Sequence, residues 1–306
     1  MQHFLQTLSL TLLLILPCCA YSVTTQTHTQ SYEYTVSDNT DQNNLVKNRL
    51  DETDAIVVNP FAIALYKPTY ILPLYYTGSP YNDVYRGNTP ENEPLKKGEL
   101  KYQFSFVVPV WQHILNSRTT LYAAYTQLSY WQAYNHRAFF RETDYEPELF
   151  LSSQFDLPLS KNWELNVINL GVEHQSNGFG GPLERSWNRA YVSFVASSDH
   201  CLFIIRPWFV FHDTTYERQN PDLTHYLGHE QIVFAYKYGP HVFSLEARNL
   251  IESAGARAGI TLSWSFPLNE HLKGYIQVFH GYGQSLIEYN QRTTSVGIGI
   301  ALNNFI

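Results

Sequence analysis

The sequence predicts an all-β fold, a transmembrane antiparallel β-barrel with twelve strands expected. Three observations predict it. Short segments of strict two-residue alternation recur from about residue 55 to the C-terminus, and period two marks strands whose faces meet different surroundings. Past an N-terminal leader, no stretch approaches the ~18 apolar residues that a spanning helix needs. Charged residues are only 15% of the chain beside 23 Tyr, 18 Phe and 6 Trp, whereas soluble domains carry roughly 25% charged residues.

The first element is the leader "MQHFLQTLSLTLLLILPCCAYS". Its apolar stretch from Leu8 to Pro17 and the small residues ending at Ala20 read as a secretory signal over residues 1–20, although His3 stands where Lys or Arg is usual. Acylation of Cys18 or Cys19 is the alternative, and "ILPCC" lacks the small residues such a site needs. Residues 21–54 follow as a polar N-terminal segment rich in Thr, Gln, Asn and Asp, too poor in apolar side chains to offset the entropy of ordering. Residues 55–306 form a single barrel domain without internal repeats. Beyond the leader only Cys201 remains, beside a turn, so no intramolecular disulfide forms.

The strands come next. In "KYQFSFVVPVW", Tyr102, Phe104, Phe106 and Val108 oppose Gln103 and Ser105. In "RAGITLSWSFPL", Ile260, Leu262, Trp264 and Phe266 oppose Gly259, Thr261, Ser263 and Ser265. In "RTTSVGIGIALNNFI", Val296, Ile298, Ile300 and Leu302 oppose Gly297, Gly299 and Ala301, and the chain is expected to end inside this strand, at Phe305 and Ile306. A soluble sandwich produces the same local alternation. The small, polar second face suits a barrel interior better, and the aromatics of "PTYILPLYY", "YWQAY" and "WSF" stand where interfacial girdles belong. Crossings of 9–11 residues plus connections allow about ten to fourteen strands. An even number is expected, because lipid tolerates no open edge. A formal charge of −7 argues against a nucleic-acid partner, which needs a basic face.

One segment carries chemistry: "LGVEHQSNGFGGPLERSWNRAYVSF", residues 170–194. His174 and Ser176 lie in phase with Ile168, Leu170 and Val172, while Glu173 and Gln175 point the other way. The turn "NGFGGPLER" leads back into "SWNRAYVSFV", where Asn188 is in phase with Ala190, Val192 and Phe194. A hairpin therefore brings Asn188 beside His174 and Ser176 on one apolar outer surface. The grouping reads as a nucleophile, its base and the base's orienter. By pattern alone the favoured reading is polar residues at a membrane interface, because His-x-Ser is a common tripeptide. Weaker candidates are set aside. "HYLGHE" offers His225, His229 and Glu230, a spacing that binds zinc only on a helix, and a loop is expected there between Pro221 and the next strand.

"HQSNGFGGPLERSWNR" resembles the active-site segment of the outer-membrane phospholipase A family, which carries His, Ser and Asn at this spacing followed by "RSWNR". "FRETDYEPELFL", "YTQLSYWQ", "KGYIQVFHGYGQSLIEYN" and "VGIGIALNNF" resemble further family segments. The resemblance implies a calcium-dependent phospholipase A1/A2 that acts as a homodimer in the bacterial outer membrane. His174 would be the base, Ser176 the nucleophile and Asn188 the orienter, with the Gly178 N–H an oxyanion donor. It further implies calcium held by the Phe179 carbonyl, by Glu184 and, from the partner subunit's preceding loop, by the carbonyl at Arg137. Gln127 would hydrogen-bond its twin at the dimer interface, against the alternative of a lumen-facing glutamine. Two positions depart from the family pattern: Glu184 replaces a serine and Gly181 an aspartate. A carboxylate is the harder oxygen ligand for Ca²⁺. The rival readings are a non-catalytic porin, which needs a wide polar lumen, and a lipid A deacylase, whose context the "RSWNR" asparagine does not match.

Overall fold

Alternation at period two forces each segment to place one face in lipid and one in the interior, and the segments close on themselves to do so. In a computed structural model, residues 45–46, 63–211, 220–270 and 272–306 are described. The expected signal peptide, Cys18, Cys19 and nearly all of the polar segment lie outside the described residues. The chain divides into Met1–Thr40 and Asp41–Ile306, and every described residue belongs to the second unit.

The strands are β1 (Ala64–Leu65), β2 (Tyr70–Thr77), β3 (Gly98–Trp111), β4 (Thr119–Trp131), β5 (Phe140–Pro158), β6 (Glu164–Ser176) and β7 (Ser186–Ser197). They continue with β8 (Cys201–Phe211), β9 (Glu230–Tyr238), β10 (His241–Arg248), β11 (Gly259–Pro267), β12 (Lys273–Gly281) and β13 (Thr293–Ala301). Each strand from β2 onward pairs antiparallel with the next, and β13 returns to β2 through Val296↔Tyr76 and Ile298↔Leu74. Twelve strands thus close the barrel, as expected. The short β1 extends the line of β2 along β3, with Leu65 opposite Phe106.

Connections at one end are short (112–118, 159–163, 198–200, 239–240, 268–272), and those at the other are mostly longer (78–97, 132–139, 177–185, 212–229, 249–258, 282–292). Long loops belong on the extracellular side of an outer-membrane barrel. The aromatic and aliphatic faces read from the sequence point outward: Phe104, Phe106, Leu262, Val296 and Ile298 are exposed.

The interior differs from the small, polar lining that the alternation suggested, because it also holds charge. Glu99, Arg141, Glu142, Glu148, Glu173 and Arg206 are all buried. A cation on the lipid face near the bilayer midplane costs ~2–4 kcal/mol, so charge is driven inward, where it must be paired. Arg206 contacts Glu148 at 2.8 Å and Glu173 at 2.5 Å, Arg189 pairs with Glu173, and Lys67 reaches Glu146 at 2.9 Å. A cavity of about 330 Å³ remains, lined by residues that include Lys67, Glu146, Glu173, Arg189 and Arg206.

The C-terminus departs from expectation. Strand β13 stops at Ala301, and residues 302–306 leave the sheet. Two asparagines supply hydrogen bonds that replace the ladder: Asn303 Oδ1 accepts from the Thr69 N–H at 2.7 Å, and Asn304 Nδ2 donates to Ser265 Oγ at 2.9 Å. Phe305 and Ile306 then pack with Val46, Val167, Leu202 and Val242. At the long-loop end, residues 282–292 turn inward. The N–H of Ile287 donates to Glu142 at 2.6 Å and that of Leu286 to Asp144 at 3.4 Å.

Candidate active site

The β6–β7 hairpin pairs His174 with Asn188, Val172 with Ala190 and Ser176 with Ser186. Three turn residues supply the reversal: Gly178 and Gly181 at φ 67 and 66, and Pro182 opening a single 3-10 turn. On the outer face, His174 Nδ1 lies 2.8 Å from Asn188 Oδ1. An amide oxygen only accepts, so Nδ1 carries the proton and Nε2 keeps its lone pair. Ser176, the last residue of β6, stands two positions on along that face. This places it at the long-loop edge of the wall.

The opposite face of the same strands holds the register. Glu173 is paired with Arg189 directly behind the His174–Asn188 pair. Gln175, between His174 and Ser176, accepts the Trp187 Nε1–H at 2.7 Å, and Trp187 is 1% exposed. A slip of one residue would turn the charges toward lipid and His174, Ser176 and Asn188 inward. The lumen network therefore opposes it.

The turn after Ser176 is stapled by buried Asn177. Its Nδ2 donates to the Leu183 carbonyl at 2.8 Å, and its Oδ1 accepts from the N–H groups of Phe179 at 3.3 Å and Arg185 at 3.0 Å. Sequence reasoning missed this residue. An asparagine before a glycine-rich turn was the available signal, because its amide mimics backbone. Gly178 is glycine for two reasons. Its φ of 67 is left-handed, and an added Cβ would stand 2.9 Å from Tyr145 Cε2. Tyr145, also missed, lies on the outer face opposite Ser176 across the β5–β6 ladder.

Phe179 and Glu184 sit on this same turn, so the structure brings two of the expected calcium donors beside Ser176 and Gly178. A carbonyl and a carboxylate are hard oxygen donors, the kind of ligand Ca²⁺ takes. No ion pair engages the Glu184 carboxylate among the described residues. Gly181 leaves the space around it open, with nothing within 4 Å of an added Cβ. Arg137 lies elsewhere, on the β4–β5 loop, with its guanidinium 2.6 Å from Glu91.

Gln127 faces outward, away from the lumen, accepting from Tyr125 Oη at 3.0 Å and donating to Ser129 Oγ at 3.2 Å. It pairs with Tyr145, which pairs with Ser176, so one strand separates the glutamine from the serine. "HYLGHE" begins in the last residues of a short helix, Leu223–Leu227, ended by Gly228 at φ 65, and finishes at Glu230 on β9, so it is not wholly open loop. Its histidines do not converge: His229 turns to Glu252, with Nδ1 2.9 Å from Oε2, and Glu230 accepts the Ile251 N–H at 2.8 Å. Cys201 is the free first residue of β8, as read from its place beside a turn.

Residues 46–302 match the family model described as Phospholipase A1. The chain belongs to the phospholipase A1 family. It is 37% identical over 262 residues to the Phospholipase A1 of Escherichia coli K12, covering 85% of this chain and 86% of that one. Among solved structures it is similar to the Salmonella typhi outer-membrane phospholipase, crystallised as a dimer with bound calcium. That match has a TM-score of 0.77 and 34% identity, over 83% of this chain and 97% of that chain. It is also similar to an active-site variant of the Escherichia coli outer-membrane phospholipase A in which an asparagine is replaced by alanine. There the TM-score is 0.75 and the identity 35%, over 81% of this chain and 94% of that chain. This member of the phospholipase A1 family is thus an outer-membrane barrel and an ester hydrolase, and the porin alternative falls away.

Proposed function

We propose that this phospholipase cleaves acyl esters of phospholipids and lysophospholipids, at both A1 and A2 positions, with Ser176, His174 and Asn188. The observation that carries the reading is the 2.8 Å contact between His174 Nδ1 and Asn188 Oδ1 on the lipid-facing wall, with Ser176 on the same face. Ser176 Oγ attacks the acyl carbon while His174 Nε2 takes its proton. The tetrahedral oxyanion accepts from the Gly178 N–H. His174 then protonates the departing glycerol oxygen, and water releases the fatty acid by the same steps. A neutral asparagine as orienter suits this location, because a third-member carboxylate would place a charge on a wall that faces lipid. The active-site asparagine of the Escherichia coli relative supports the role given to Asn188.

Phe179 and Glu184, with Arg137 of the partner subunit, would hold calcium. When bound, the ion adds positive charge beside the acyl oxygen as it becomes an oxyanion. The calcium-bound dimer of the Salmonella typhi protein supports this reading. Gln127, outward-facing and one strand from Tyr145, would sit on the two-fold axis, where an amide pairs with its twin. Residues 1–20 would be the export leader and residues 21–54 a polar segment ahead of the barrel.

The test is covalent labelling by a long-chain sulfonyl fluoride, with oligomeric state read in parallel. Ser176 is the expected site, labelled faster with calcium than with chelator, and Ser176→Ala loses both labelling and phospholipid hydrolysis. Wild-type hydrolysis rates in the alanine variant would sink the assignment.

A further inference from the structure

The outer wall beside the triad carries a groove that the hydrolytic steps do not use. On β7, the outward residues below Asn188 are Ala190, Val192 and then Phe194. Ala190 and Val192 are half-buried. Their neighbours stand proud: Val172, opposite Ala190, is 50% exposed, Leu170, opposite Val192, is 57% exposed, and Phe209, across from Ala190 on β8, is 64% exposed. Phe209 and Phe211 pack edge-to-face at 5.8 Å, and Phe211 lies opposite Asn188, so the far wall begins level with the triad. Level with Ala190, a small side chain lies between large ones on both neighbours and makes a trough, which opens on the β8 side at Pro207. Its floor runs from Ala190 to Val192, about 7 Å along the strand, before Phe194, itself exposed, closes it.

We propose that this trough is the subsite for the acyl chain that is not being cut. The inference rests on the reading of Ser176 as nucleophile. The reacting ester must lie at Ser176 on β6, so its own chain descends over Val172 and Leu170 or toward β5. The second chain hangs from the adjacent glycerol carbon, in contact with the first. One strand spacing to the side, ~4.8 Å, it meets β7. That side is open to lipid, whereas the β4–β5 side is the one a partner subunit would cover through Gln127. The occupant is therefore a fatty acyl chain of a diacyl glycerophospholipid. A lysophospholipid leaves the trough vacant.

Filling the trough should then penalise diacyl substrates selectively. Full-length enzyme in micelles, with calcium, is assayed on dipalmitoyl phosphatidylcholine and on palmitoyl lysophosphatidylcholine. Ala190→Phe is expected to lower the diacyl-to-lyso ratio of kcat/KM by about tenfold, the scale on which pockets sense a few carbon atoms. Phe209→Ala, which removes the far wall, should lower the ratio in the same direction, mainly through KM for the diacyl substrate. Val278→Phe adds the same ring to the lipid-facing side of β12, on the opposite wall, and should leave the ratio at its wild-type value. An unchanged ratio in Ala190→Phe, or an equal change in Val278→Phe, overturns the subsite. Failure of the nucleophile reading shows separately, as phospholipid hydrolysis that survives Ser176→Ala.

Discussion

At the scale of single residues, the proposed chemistry rests on an amide and a carboxylate. The His174–Asn188 contact matters most when the imidazole is charged in the transition state, where such a bond contributes about 1.5–3 kcal/mol. Asn188→Ala is therefore expected to lower kcat by ~10–100-fold with little change in KM, measured on micellar phospholipid. An unchanged kcat would mean that Asn188 does not orient the base. Glu184 is one of the two positions, with Gly181, at which this chain departs from the pattern it resembles, and its carboxylate is not tied up by any ion pair among the described residues. Glu184→Gln removes charge from the donor set, so the calcium concentration for half-maximal activity should rise about tenfold. A calcium titration of activity checks this. His174, Ser176 and Asn188 were all legible in the sequence, because two strands read independently put them on one face. Asn177 was not, since its three hydrogen bonds go to backbone that only the folded turn brings within reach.

At the scale of elements, the β6–β7 hairpin does two jobs with its two faces. The outer face carries His174, Ser176 and Asn188, with Ala190 and Val192 beyond them, and the inner face carries Glu173, Gln175, Trp187 and Arg189, which hold the register. Arg206, from β8, contacts both Glu148 and Glu173. Replacing it by Met leaves two buried carboxylates with less compensation, a loss of about 3–5 kcal/mol for breaking a buried pair. Arg206→Met should melt at lower temperature in detergent, and its kcat should fall with the lost order of the hairpin. Thermal unfolding followed on the same preparations as activity distinguishes this from a direct catalytic effect, which would leave the melting temperature unchanged. Alternation revealed which residues face inward, but it is blind to which inward residues pair across strands.

At the scale of the whole molecule, the barrel and its surroundings act together. The row Gln127, Tyr145, Ser176 spans three adjacent strands, so a partner seated on Gln127 would stand beside the nucleophile. Gln127→Ala should weaken self-association in detergent by up to ~1–2 kcal/mol, the scale of an interhelical side-chain hydrogen bond in membranes. Activity should fall in parallel as enzyme is diluted. Sedimentation equilibrium and a dilution series of specific activity test it together, and full activity in a strictly monomeric preparation would count against a dimer-completed site. The two ends also cooperate: Phe305 and Ile306 close one against Val46, while residues 282–292 fold into the other.

Period two, turn residues and low charge pointed to an all-β, membrane-spanning barrel with an even number of strands and put His174, Ser176 and Asn188 on one outward face, because these follow from local backbone geometry and from what lipid excludes. Tertiary structure alone decided the rest. The pairing of lumen charges, the inward fold of residues 302–306 and the trough between Val172 and Phe209 depend on contacts between residues distant in sequence. Asn303 is the plainest case. Its polar side chain marked no strand end by itself, and it became one only because closure brought the Thr69 N–H, 234 residues away, to its amide oxygen.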